Sequence, residues 1–201
     1  MNKKGVANLI RKISAMCSKN AILFGKLHNV NDAILTYGFE IIITSTVGLF
    51  ILILLSLLIG SPMAWLFFLI GFAVHRTFAG GYHADSRIGC FGVTSIMFLI
   101  GTITSIIVEW NVVVYLAIEV FSAVLVLTMA PLEAENKPLS QKRFQQNRKR
   151  SVIVVCINLF LSVFFAVIGF VCEEANLYFA GIFFATFSLV MGKIKKYQKG
   201  G

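Results

Sequence analysis

PMAWLFFLIGFAV, residues 62–74, is the stretch on which the topology turns. A helix crossing a bilayer needs roughly 20 apolar residues, with a range of about 17–25. This run is shorter, so it must tilt, recruit its neighbours, or enter and return. Its surroundings decide. Longer apolar runs at about 40–60, 92–108, 112–131, 152–171 and 177–192 bring the total to about six hydrophobic helical segments. Lys3, Lys4, Arg11, Lys12, Lys19 and Lys26 precede residue 38, Arg76 and Arg87 follow the short run, and the other basic residues lie between 132 and 151 or after 192. The connections at 61, 109–111 and 173–176 carry no Lys or Arg. Six crossings place every basic cluster on one side, whereas five would scatter them over both. Residues 62–74 are therefore read as a crossing, and the positive-inside rule makes the basic side, with both termini, cytoplasmic.

The composition agrees: 58% of the 201 residues are hydrophobic and only 13% charged, in blocks that leave no room for a soluble core with a polar face. The expectation is an all-α integral membrane protein forming one membrane-embedded domain, 1–201, in a cell membrane. Residues 1–38 are read as a cytoplasmic-face amphipathic helix within that domain. Val6, Leu9, Ile10, Ile13, Met16 and Cys17 recur at helical spacing, while Lys4, Arg11, Lys19 and Lys26 recur about every seven residues. That pattern suits a helix lying on anionic lipid, with a basic solvated arm as the alternative. The first forty residues lack the single apolar core of a cleaved signal peptide, so the start is expected to be retained.

Between the second and third apolar runs the chain reads RTFAGGYHADSRIGC, residues 76–90. The four cysteines, Cys17, Cys90, Cys156 and Cys172, show no paired spacing, so a disulfide framework is not expected. Cys17 and Cys156 read as small apolar side chains. Cys90 opens an apolar run, near a helix N-terminus whose unpaired amides and dipole favour a thiolate. His83 lies seven residues upstream. In one continuous helix the two would be about 10.5 Å apart along the axis and unable to pair. A bend is required, for which Gly80, Gly81 and Gly89 supply backbone freedom. Two other readings remain open. His75, His83, Asp85 and Cys90 would be metal ligands, although their spacing matches no compact zinc pattern. Alternatively, the stretch is a polar interhelical loop whose Arg76 and Arg87 meet lipid headgroups.

The pattern formed by Arg76, Gly80, Gly81, His83, Ala84 and Cys90, together with APLEAENKPLS at 130–140, resembles the accessory gene regulator protein B family of bacterial quorum sensing. The resemblance extends over nearly the whole chain. It implies a membrane cysteine endopeptidase, without cofactor or metal, that removes the C-terminal tail of a short precursor signalling peptide. It makes Cys90 the nucleophile and His83 the general base, then acid. An acyl thioester on Cys90 would pass to a thiol or hydroxyl within the peptide, closing a thiolactone or lactone ring.

Asp85 is a candidate to orient His83, with a turn or cap as the alternative. His75 is a candidate for the same pocket, or an interfacial histidine. Arg76 and Arg87 are candidates to contact substrate. Lys142, Arg143, Arg148, Lys149 and Arg150 serve as a lipid anchor or as a binding site for the precursor's tail, which tends to be acidic in this family. Anionic lipids and a homo-oligomer are the other partners expected, and nucleic acid is not. Glu119, within the apolar run 112–131, should face other helices or a water-filled cavity, most simply in a structural hydrogen bond. A peptide exporter and a nonenzymatic scaffold are the competing classes.

Overall fold

The computed structural model describes residues 3–25, 31–82, 84, 86–108, 110–133, 139–169 and 171–200. Among them are seven helices: α1 Lys3–Gly25, α2 Asp32–Ile59, α3 Ala64–Ala79, α4 Arg87–Ile107, α5 Val112–Met129, α6 Gln141–Ile168 and α7 Glu173–Gly200. Each of the six apolar runs lies in a helix of its own. Four helices among the described residues, α2, α4, α5 and α7, are long and apolar enough to cross a membrane, and α3 is a shorter apolar helix. The second half of α6 reads SVIVVCINLFLSVFFAVI. The chain is an all-α, multi-pass membrane protein.

Helix ends follow caps rather than hydropathy. The α2 helix begins at Asp32, well ahead of the apolar run at 40, because the Asn31 side chain accepts from the Ala33 amide at 2.9 Å. It ends where Gly60, at φ 83° and ψ 10°, turns left-handed and its amide returns to the Leu57 carbonyl. In α1, Ser14 and Ser18 are buried while Leu9, Ile13 and Met16 are exposed, so the polar notch faces α2 and the apolar face is left open. Ser18 donates to the Asp32 carboxylate at 2.5 Å and ties the two helices together.

The short run is the centre of the molecule. As a 16-residue helix, α3 is about 24 Å long against a hydrocarbon core of about 30 Å. Ala64, Phe68, Gly71, Phe72, His75 and Ala79 are buried, chiefly against α7. A Cβ on Gly71 would collide with the Tyr178 carbonyl, and one on Gly181 with the Phe68 carbonyl. These glycines bring the two backbones into contact, which is how helices gain packing energy where lipid removes the usual drive to bury apolar surface. Phe68 stacks on Phe72 at 5.6 Å and meets Phe98 of α4 edge-on at 5.4 Å. The opposite face of α3 is open: Ile70, Ala73, Val74 and Thr77 are exposed, as is Met63 at its N-terminal end.

The connections sort by end. Ser61 donates to Glu173 in a short hydrogen bond, and Asn176 joins the Tyr115 hydroxyl (2.6 Å) to the Ser105 carbonyl (3.4 Å). These contacts gather the three connections that lack Lys and Arg at one end. At the other end Tyr82 meets Ser188, Leu132 meets Ala79 and Arg150 lies over Phe78.

Candidate active site

The site forms where α3 runs out. Gly80 caps the helix, its amide donating to the Arg76 carbonyl at 3.0 Å, with φ 81° and ψ −163°. A Cβ there would run into the carbonyl oxygen of Leu132, whose amide donates to the Ala79 carbonyl at 2.9 Å. Gly81 is buried against Ser188 of α7. The Tyr82 amide donates to the Ser188 carbonyl at 2.8 Å and also reaches its hydroxyl at 3.1 Å. The two sequence motifs are thus neighbours: Gly80 of the first docks against Leu132, in the segment opening the second, while Gly81 docks against α7. Gly80 does provide a special backbone conformation, but the pair's larger contribution is close approach. Gly89 supplies no bend, because it lies within the first turn of α4.

That turn carries the cysteine. Ser86 is extended, at φ −129° and ψ 150°, and its hydroxyl accepts from the Gly89 amide at 3.0 Å. The N-cap starts α4 at Arg87, so the axial separation expected of one continuous helix from 83 to 90 does not apply. Cys90 sits in the first turn, where the dipole and orphan amides favour negative charge. His83, Asp85 and the side chain of Arg87 lie outside the described residues.

Arg76 reaches the cysteine from the last turn of α3. Its Nη2 donates to Cys90 Sγ at 3.1 Å and to the Tyr82 carbonyl at 2.7 Å, while Nη1 donates to the Thr94 hydroxyl at 3.3 Å. The guanidinium carbon stands 5.4 Å from the centre of the Phe72 ring. Thr94 in turn donates to the Cys90 carbonyl at 3.1 Å. The planar fork is therefore held on the sulfur by the Tyr82 carbonyl, the Thr94 hydroxyl and an aromatic face. Tyr82 and Thr94 were not among the residues singled out in the sequence. Thr94 lies one turn beyond the cysteine, a spacing that offers a signal.

His75 is not part of this constellation. It is buried, with Nε2 at 2.5 Å from Asn158 Nδ2 of α6, instead of sitting at the interface. The five basic residues from Lys142 to Arg150 lie in the first turns of α6 rather than in a loop, and they differ from one another. Lys142, Arg143, Lys149 and Arg150 are exposed, with Arg150 over the Phe78 ring at 5.6 Å. Arg148 donates to the carbonyls of Val126 (3.0 Å), Ala130 (2.6 Å) and Leu127, closing the C-terminus of α5. Beside the junction opens a cleft of about 560 Å³, lined by Leu132, Glu133, Phe144, Lys193, Lys196 and Tyr197 among others. Lys193 and Lys196, which the sequence marks only as basic residues after 192, are thereby placed on its wall. None of the four cysteines is disulfide-bonded. Burial pushes the Cys172 thiol above its ordinary range. No group of three or more His, Cys, Asp or Glu capable of holding a metal ion occurs among the described residues.

Comparison with known proteins places these features in a family context. The family model described as AgrB, accessory gene regulator B, matches residues 10–191. An AgrB-like protein 2 of Clostridium perfringens strain 13 is 26% identical over 163 residues, covering 77% of this chain and 76% of the relative. An AgrB-like protein of Clostridium perfringens strain SM101 is 24% identical over the same length and coverage. One from Clostridium acetobutylicum is 26% identical over 152 residues, covering 76% of this chain and 73% of the relative. No solved structure matches the chain.

Proposed function

The chain belongs to the accessory gene regulator B family, and on that premise we propose that it is a membrane cysteine endopeptidase that processes a short precursor peptide for quorum sensing. The observation that carries the reading is the guanidinium of Arg76 at 3.1 Å from Cys90 Sγ, in the first turn of α4. A positive charge and a helix N-terminus on one sulfur favour a thiolate, the nucleophilic form.

In this reading His83 takes the thiol proton, and Sγ attacks the carbonyl that precedes the precursor's C-terminal tail. The new bond joins sulfur to that carbonyl carbon, and the carbon to nitrogen bond breaks. His83 returns the proton to the departing amine, and the tail leaves with a new amino terminus. The acyl group then passes from Cys90 to a thiol or hydroxyl of the peptide, closing the ring and restoring the cysteine. Exchanging one thioester for another is close to energetically even, so forming a thiolactone needs no ATP if water is excluded. After attack, the Arg76 fork is placed to keep Nη2 at the sulfur without rearrangement.

The same reading takes all six apolar segments as crossings, with both termini and the Cys90 end in the cytoplasm, because the basic side chains gather at that end. The helix α1 lies along that face. Its exposed Leu9, Ile13 and Met16 meet lipid and its exposed Arg11, Lys12 and Lys19 meet anionic headgroups. Lys142, Arg143 and Lys149 are the α6 residues available to an acidic tail, because Arg148 is committed to α5 and Arg150 lies over the Phe78 ring. A homo-oligomer remains part of the proposal.

The test uses the purified protein in lipid vesicles with a synthetic precursor, read by mass spectrometry for released tail and for an acyl adduct on Cys90. Cys90→Ala and His83→Ala should each abolish release while still inserting, and Cys90→Ser should be nearly inactive because a serine hydroxyl is poorly ionised. Cys17→Ala, Cys156→Ala and Cys172→Ala should retain cleavage. Tail release by Cys90→Ala at the normal rate would end the peptidase reading.

A further inference from the structure

Charged side chains stand on packing faces of the bundle at two places. In α5 the residue is Glu119, fully buried, whose oxygens have no hydrogen-bond partner among the described residues, so the structural hydrogen bond expected of it is not found. In α7 the residues are Lys193 and Lys196. Ile182, Thr186 and Leu189 are buried and mark the inward face of that helix, and the two lysines follow Leu189 by four and seven residues on the same face. They carry the inward face past the end of its apolar stretch, and they line the cleft of about 560 Å³.

Three helices meet at this cleft. Met129 ends α5, Leu132 and Glu133 follow it, Phe144 stands in the first turn of α6, and the lysines come from the last turns of α7. The space is thus apolar on one side and cationic on the other. Two positive charges and the one negative charge of Glu133 leave its described lining with a single net positive charge. Glu135 and Lys137, next along the chain, lie outside the described residues and are opposite in charge.

An apolar ridge leads into the cleft. Phe183, Phe187, Met191, Ile194 and Tyr197 are exposed at helical spacing along α7, beside the inward face, and the last of them lines the cleft. Phe183 stacks on Phe121 of α5 at 6.2 Å, which puts the ridge on the α5 side of the helix. Because α7 is long and apolar enough to cross a membrane, the ridge faces hydrocarbon up to the level where lysines and a tyrosine take over. That is the composition of the headgroup level. We propose that the cleft binds the phosphodiester headgroup of one anionic phospholipid, with the phosphate at Lys193 and Lys196 and an acyl chain along the α7 ridge.

A lipid fits these features better than an acidic peptide. One net positive charge matches the single negative charge of a phosphodiester, whereas a run of carboxylates would be repelled by Glu133. The ridge offers an acyl chain a surface that a water-soluble segment has no use for. Basic pockets between membrane helices on the cytoplasmic side are also where anionic headgroups bind in general. The occupant would bear on the junction beside the candidate site. Leu132, on the cleft wall, donates its amide to the Ala79 carbonyl, and its side chain packs at Gly192, where an added Cβ would lie 2.6 Å from Leu132 Cδ2. A ligand spanning Leu132 and the α7 lysines therefore braces the contact that holds Gly80 and Tyr82 in place, and binding to the folded form alone stabilises it.

The proposal does not depend on peptidase activity, and neither does its test. Purified protein in detergent receives phosphatidylglycerol or phosphatidylcholine with the same acyl chains, and retained lipid is read by native mass spectrometry alongside the unfolding temperature. The wild type should retain phosphatidylglycerol in preference and unfold at a higher temperature with it. Lys193→Gln combined with Lys196→Gln should lose both effects, Lys193→Arg with Lys196→Arg should keep them, and Lys142→Gln with Arg143→Gln, exposed on α6, should keep them too. Equal retention of the two lipids by the wild type, or equal loss in both glutamine pairs, would overturn the site. Stabilisation by soluble glycerol 3-phosphate as large as that by phosphatidylglycerol would show a phosphate site without a lipid and overturn the proposal. So would displacement of the lipid by an equal concentration of a synthetic acidic peptide, which would make the cleft a peptide site.

Discussion

Gly80→Ala should break the junction that carries the candidate site, and its cost can be worked from the backbone. At φ 81° and ψ −163° this residue occupies a region that is essentially glycine's alone, where a side chain costs about 1–3 kcal/mol. The added Cβ also meets the Leu132 carbonyl oxygen, a backbone atom that cannot swing aside. Moving Leu132 sacrifices its 2.9 Å bond to the Ala79 carbonyl, worth about 0.5–1.5 kcal/mol net. The total is roughly 1.5–4.5 kcal/mol. Gly60→Ala is the control. Gly60 is also left-handed, at φ 83° and ψ 10°, but nothing lies within 4 Å of its added Cβ, so only the conformational cost of about 1–2 kcal/mol applies. Thermal unfolding in detergent should rank wild type, then Gly60→Ala, then Gly80→Ala. The alkylation rate of Cys90, measured on a protein whose other cysteines are alanine, should change in Gly80→Ala and not in Gly60→Ala. The Arg76 fork depends on the Tyr82 carbonyl, which the junction positions. Equal stability of the two variants, with unaltered Cys90 alkylation in both, would refute the view that Gly80 serves close approach to the second motif.

Two further outcomes follow from the basic turns of α6 and from the cysteines. Arg148→Gln removes a charged cap from α5 and should cost about 1–3 kcal/mol of stability. Replacing Lys142, Arg143 and Lys149 with glutamine should instead leave unfolding unchanged and weaken precursor binding in a salt-sensitive way; unfolding in detergent and binding at two ionic strengths separate the cases. In intact cells an impermeant maleimide should label Cys172 and miss Cys90. Burial keeps the Cys172 thiol protonated to higher pH than an ordinary thiol, and only the thiolate reacts. Its labelling should therefore be slow near neutrality and accelerate as pH rises, and external labelling of Cys90 would invert the topology.

The membrane makes one part of this molecule legible and hides another. Apolar runs announce helices because lipid leaves the backbone no other way to satisfy its hydrogen bonds, so every one of the six runs was found. Their ends were less visible, although Asn31 and Ser86 are ordinary N-cap residues and stand in the sequence just before Asp32 and Arg87. The place of Cys90 was legible from position, because a cysteine opening an apolar run lies near a helix start, whereas its role as nucleophile came from the family resemblance. What a run cannot announce is which helices touch. The 106 residues separating Tyr82 from Ser188 are bridged only because Gly71 and Gly181 let α3 and α7 close together, and neither glycine differs in local sequence from an incidental one. The same limit made the five basic residues from Lys142 to Arg150 look alike, although Arg148 alone turns onto the carbonyls of α5.

The hidden part also explains why the short run had to be a helix within the bundle rather than a loop at its edge. One α3 side chain, Arg76, supplies the donor on Cys90, another, His75, ties the helix to Asn158 of α6, and the end of the same helix, Gly80, docks the second motif. All three depend on α3 being held by α7 along its length. Lengthening it to a full crossing would carry helical backbone past residue 79 into the space that Leu132 and Ser188 occupy. The shortness that made 62–74 ambiguous as a membrane span is what leaves room for the site at its end.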